Sequence, residues 1–128
     1  MTDDKSKTGL RGQPAGQTAI CTLDPEGKSL RYRGFDIVDL TSRSTFYETA
    51  YLILKGHLPD QLQLDSWKAT LTDQRRLPRS MQTLLERIPA DAHPMDVLRT
   101  ACSFLGSLEA EEDFSRQSAA ADRMLAIF

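Results

Sequence analysis

Two histidines, His57 and His93, are the residues best suited to general acid–base work near neutral pH. Each stands in a context that favours structure over catalysis. His57 follows Gly56 and lies just before Pro59, where a ring nitrogen can meet the terminal carbonyls of a helix. His93 precedes Pro94 and reads as a residue shaping a helix start. Cys21 and Cys102 form no C-x-x-C pair and no Cys/His metal spacing, so free thiols are expected. Cys102 reads as a small buried hydrophobe and Trp67 as a core anchor. Glu86, Asp91, Glu109 and Glu111 show no spacing that sets two carboxylates on one face, and Asp96 suits the first turn of a helix. No catalytic and no metal-binding residue is therefore assigned, and no permanently bound cofactor is expected.

Six other cationic residues stand out. Arg33 beside Gly34 reads as the support of a hairpin-to-helix corner. Arg99 falls on a helix expected to be buried and should then have a carboxylate or backbone partner. Arg75, Arg76 and Arg79 cluster at the junction of two helices, at 60–75 and 78–88, which raises a helix-turn-helix reading. Sixteen basic against eighteen acidic residues, a net charge of −2, oppose phosphate-backbone binding, and no nucleic-acid partner is expected. Arg11, in the segment Gly-Leu-Arg-Gly, is the remaining candidate.

The elements that would position these groups read as mainly α, with a short β-hairpin first. Residues 1–8 are polar and are expected to form a disordered leader without a secretory signal. Thr18 to Leu23 and Ser29 to Tyr32 read as paired strands around the turn Asp24-Pro25-Glu26-Gly27. The pattern turns helical from Phe35. Thr45 and Glu48 have capping-box spacing, Gly56 and Pro59 stop the helix, and Asp60 caps the next. Leu64, Trp67 and Leu71 form a stripe; Met81, Leu84, Leu85 and Ile88 form another after Pro78. The helix from Pro94 carries apolar residues on a broad arc and is expected to be central. A last helix has Ala121, Met124, Leu125 and Phe128 as its apolar side and no stop signal, so the chain reads as cut. The sum is a hairpin followed by five or six helices. The longest apolar run, Tyr51 to Leu54, is far too short to span a membrane.

Four stretches, GLRGQPAGQTAICTLDPEG at 9–27, LRYRGFDIVDL at 30–40, TAYLILKGHLP at 49–59 and ERIPADAHPMDVLRTACSFLGSLE at 86–109, together resemble the citrate synthase family. HPMDVLRTACSFLGSLE and GLRGQPAGQTAICT look closer to bacterial 2-methylcitrate synthases than to mitochondrial citrate synthases. The resemblance covers residues 9–128 and implies the N-terminal portion of a citrate synthase-like large domain, truncated at its C-terminus: an incomplete helical fold. It implies a homodimer whose substrates are oxaloacetate and propionyl-CoA or acetyl-CoA, with roles in propionate catabolism or the tricarboxylic acid cycle; a reducing cytoplasm is expected separately, from the free thiols and the missing secretory signal. In that family an Asp removes the thioester α-proton, one His stabilises the enol and another assists at the oxaloacetate carbonyl. No segment here matches the Gly-His-Gly or Gly-His-Pro motifs that carry those histidines, so the resemblance implies no condensation by this chain alone. It also implies that Arg11 could meet a coenzyme A phosphate. The competing reading is a non-catalytic helical scaffold module that associates with a synthase subunit.

Overall fold

In the computed structural model, residues 16–24, 26–111 and 113–128 are described. The expected leader at 1–8 and Arg11 lie outside them. The chain divides into two units, residues 1–44 and 45–128.

The first unit contains a three-stranded antiparallel sheet in the order β1 (Cys21–Leu23), β2 (Leu30–Tyr32), β3 (Phe35–Asp36). Cys21 pairs with Tyr32 and Leu23 with Leu30, which bears out the hairpin. The Gly27 amide donates to the Asp24 carbonyl at 2.8 Å, with Gly27 at φ +71°. The third strand departs from the helical reading that began at Phe35. Its cause is the two-residue turn Arg33-Gly34, with φ values of +49° and +90°. Paired positive φ values match the right-handed twist of the flanking strands, so the chain reverses at once. The Arg33 amide donates to the Ile20 carbonyl at 2.8 Å, and its guanidinium reaches the Ala19 carbonyl at 3.4 Å. Asp36 then caps α1 (Ile37–Arg43), its carboxylate accepting from the Val38 amide at 2.9 Å.

The second unit is helical. α2 (Phe46–Lys55) begins with the expected capping box: the Thr45 amide donates to Glu48 at 2.7 Å and the Glu48 amide to the Thr45 hydroxyl at 3.3 Å. Gly56 ends it at φ +91°, a conformation that costs any side chain. α3 (Gln61–Gln74) has the same reciprocal cap through Asp60 and Gln63. α4 (Arg79–Glu86) follows Pro78, which sits one place before the helix rather than at its first position. α5 (Pro94–Leu108) starts on His93, whose Nδ1 accepts from the Met95 amide at 3.2 Å. A single 3₁₀ turn at Phe114–Arg116 leads into α6 (Gln117–Ile127).

Packing follows the apolar stripes. α2 and α6 each pack against α3, and α4 packs against α5. Leu52, Leu64, Trp67 and Leu71 are buried on the first set, and Met81, Ala101 and Leu105 on the second. Leu77, Leu85, Phe104 and Ile127 close around Met81 and its neighbours.

Two expectations change here. α5 is not buried on several sides: Ala101 and Leu105 are buried, whereas Met95, Leu98 and Leu108 are exposed. Its broad apolar arc exceeds the surface that α4 can cover. Arg99 consequently lies at the surface and pairs with Asp96 one turn back at 3.0 Å, an exposed pair that adds little. Cys102 is half-buried rather than fully enclosed, and Cys21 is exposed; both thiols are free.

Candidate functional site

One buried polar site in the described residues centres on Asp122, in the middle of α6. Its side chain is 12% exposed. A carboxylate held so far from water needs donors at both oxygens. Oδ1 accepts from the Trp67 indole N–H of α3 at 3.0 Å. Oδ2 accepts from the Lys55 ammonium at the end of α2 at 2.7 Å. Lys55 also donates to the Ser118 hydroxyl one turn earlier on α6, at 2.8 Å. One carboxylate thereby ties three helices. Because its oxygens are already engaged, its chemistry here is positional: it fixes where α6 lies against α2 and α3.

Trp67 is the hub of an aromatic cluster as well. Tyr47 and Tyr51 of α2 meet it edge to face, with ring centroids 6.5 and 5.3 Å away. His57 stacks edge-on against Tyr51 at 5.4 Å, a packing contact rather than a catalytic one. Lys68 lies 5.2 Å above the Tyr47 ring, and Arg75 donates to the Tyr47 hydroxyl at 2.7 Å.

The next residue, Arg123, makes the second anchor. It donates to Glu109, just past α5, through Nη2 at 2.7 Å and Nε at 3.0 Å. Its Nη1 donates to the carbonyl of Gln74 and, at 3.3 Å, to that of Arg76. The guanidinium thus satisfies carbonyls left open at the end of α3. These hydrogen bonds hold the Glu109 carboxyl below its usual 4.5, and Glu109 in turn raises Arg123. The folded chain therefore binds this proton less readily than the unfolded chain. The pair's contribution is full above the unfolded value and falls as pH drops through the lowered folded one. We expect the urea midpoint of wild type to fall more steeply than that of Glu109→Gln between roughly pH 5 and 3. Parallel profiles for the two proteins would show that the pair carries no pH-dependent stability.

Sequence reasoning singled out neither Asp122, Lys55 nor Arg123. Asp122 stands in a run of Ala and Arg, Ala119-Ala120-Ala121-Asp122-Arg123, that looks like a solvated face. The only signal is that Asp is a poor interior residue for a helix. Among the described residues no group of three His, Cys, Asp or Glu side chains is placed to hold a metal ion. His57 and His93 do not meet, and the described residues bring no acid–base pair together around either.

Two apolar depressions flank these anchors. One, of about 470 Å³, lies between α2 and α6 and is walled by Phe46, Ala50, Leu54, Ala121, Met124 and Leu125 among others. The other, of about 530 Å³, lies between α4 and α5, with Met81, Leu85, Val97, Ala101, Ile127 and Phe128 on its walls. Among the described residues no helix is long and apolar enough to cross a membrane.

A family model described as citrate synthase, C-terminal domain, matches residues 9–128. The chain is 56% identical to the 2-methylcitrate synthase of Shewanella oneidensis, over 100% of its own length and 35% of that protein. It is 44% identical to a citrate synthase of Mycolicibacterium smegmatis, over 94% of its length and 32% of that protein. The crystal structure of citrate synthase from Thermotoga maritima superposes with a TM-score of 0.76 at 32% identity, covering 94% of this chain and 31% of the other. The chain spans about a third of the length of these relatives.

Proposed function

The chain belongs to the citrate synthase family, and from that premise we propose that it is the N-terminal, structural third of a synthase that condenses propionyl-CoA with oxaloacetate. The observation that carries this reading is the 56% identity to a 2-methylcitrate synthase along the entire chain. In that reaction a base removes the α-proton of the thioester and the enolate adds to the oxaloacetate carbonyl. Water then cleaves the thioester to release 2-methylcitrate and coenzyme A. Acetyl-CoA would give citrate by the same steps, and the relatives carry both names. The preference for propionyl-CoA rests on the higher identity to the 2-methylcitrate enzyme. It would place the protein in propionate breakdown, in the cytoplasm, as a homodimer.

The catalytic Asp and His of such an enzyme are assigned to the part of the synthase that this chain does not span. Asp122 is unsuited to proton abstraction because both its oxygens are occupied by donors within the helical unit. The role of this chain is to build the helical frame, and Arg11 is proposed as a contact to a coenzyme A phosphate. The scaffold reading is supported by the uncovered apolar depressions, which suit association with another polypeptide.

Thiol release with oxaloacetate and either acyl-CoA tests this assignment. The 128-residue chain alone should give none above the uncatalysed background. Reproducible turnover by a product of verified mass would overturn the division of labour proposed here.

A further inference from the structure

A polar hollow in the helical unit holds hydrogen-bonding and charged groups that nothing in the fold engages, and we propose that it binds a free α-amino acid with an apolar side chain. The hollow, of about 370 Å³, lies where the end of α3, the link from α5 to α6 and the first turn of α6 meet. That volume is within the range of small-molecule sites. The proposal goes beyond the synthase assignment and does not rest on it. The Glu109–Arg123 pair forms one wall, and its capacity is spent. Both Glu109 oxygens accept from Arg123, whose Nη1 donates to the carbonyls of Gln74 and Arg76. This wall adds no net charge and fixes the three chain segments around the hollow.

Three other groups line the same hollow with their capacity unused. Gln74 Oε1 is fully buried and accepts no hydrogen bond among the described residues. A buried acceptor left unmet is costly and calls for a donor. Arg116 and Glu111 make no ion pair and no side-chain hydrogen bond among the described residues. The set is one neutral acceptor, one guanidinium and one carboxylate, and its complement is a zwitterion. A ligand carboxylate suits the two-pronged guanidinium of Arg116, at the end of α6 where the helix dipole favours negative charge. A ligand ammonium has three N–H donors, enough to meet Gln74 Oε1 and Glu111 together. A simple anion would leave Gln74 unmet and face the charge of Glu111; a simple amine would leave Arg116 unmet. The remaining walls, Ala110, Ala119 and Ala120, are small and apolar. They suit an aliphatic side chain on the carbon that carries both charged groups.

The test is calorimetric titration of the 128-residue chain with L-alanine, L-valine and L-leucine. Propionate and ethylamine, which each carry one of the two charges, are titrated beside them. We expect saturable one-to-one binding of at least one amino acid, about ten-fold or more tighter than either single-charge compound. Arg116→Gln and Glu111→Gln, both at exposed positions, should each weaken that binding about ten-fold or more and leave the circular dichroism of the chain unchanged. Gln74→Met keeps the length of the side chain and removes the acceptor, so it should weaken binding as well. If water alone meets Gln74 Oε1, none of the three amino acids saturates the chain, and the proposal is overturned. Propionate binding as tightly as the amino acids would reduce the hollow to an anion contact at Arg116 and overturn it too. Binding left unchanged by Arg116→Gln or by Gln74→Met would place the ligand elsewhere on the chain, which also contradicts the proposal.

Discussion

Asp122→Ala should cost the chain about 3 kcal/mol, measured as a drop in urea unfolding free energy, because it strands the Lys55 ammonium beside the buried Trp67. The loss has two parts. The ammonium, whose side chain is 21% exposed, loses its charge partner, and the indole N–H loses its acceptor. The replacement leaves one hydroxyl, that of Ser118, to meet Lys55 in this cluster. The double variant Lys55→Met/Asp122→Leu removes both charges together, so its cost should be smaller than that of Asp122→Ala. That non-additivity is the signature of a coupled pair. Trp67 is the chain's single tryptophan, so its emission reports this site without labelling. Equal stability of wild type and Asp122→Ala would show that the Lys55–Asp122–Trp67 cluster adds nothing to the hold on α6.

Leu52→Ala should be comparably severe, about 3 kcal/mol in the same assay, because Leu52 is fully enclosed. Shortening it removes buried methyl and methylene groups and leaves a cavity in a packed interior. The contrast is Leu62→Ala on α3. Leu62 is 80% exposed, and its loss should change stability by no more than about 0.5 kcal/mol. A similar loss at both positions would mean that the unit lacks the fixed interior described here.

The helix ends were legible because their causes are local. Thr45 with Glu48, Asp60, Gly56 and Pro94 each act within four residues, and each does what its spacing suggests. The third strand was not legible. Its turn uses Arg33 rather than Asn or Asp at the first left-handed position, so the usual two-residue signal is missing. α5 misled in another way. A broad apolar arc was read as burial from several sides, yet an arc shows only what a helix can bury, not what covers it. The anchors of α6 were hidden by distance: Lys55 and Asp122 are 67 positions apart and Arg123 reaches Gln74 across 49. A side chain whose partner is so remote looks like any solvated charge. The family resemblance, by contrast, was carried by words spread along the chain, and the match over 9–128 bears it out.

The anchors and the depression between α2 and α6 belong to one design. Lys55, Asp122 and Trp67 hold α6 where it forms one wall of that depression, and Arg123 secures the same helix to the end of α3.

The most direct test is a chimera in which these 128 residues replace the matched third of the Shewanella oneidensis 2-methylcitrate synthase. Thiol release is followed with oxaloacetate and propionyl-CoA. If the chain is the structural third of such an enzyme, the chimera folds and its kcat/KM stays within about ten-fold of the parent, a change of about 1.4 kcal/mol in transition-state stabilisation. A soluble, folded chimera with no turnover above background would contradict the account, because the frame would then fail to serve the chemistry it is proposed to support.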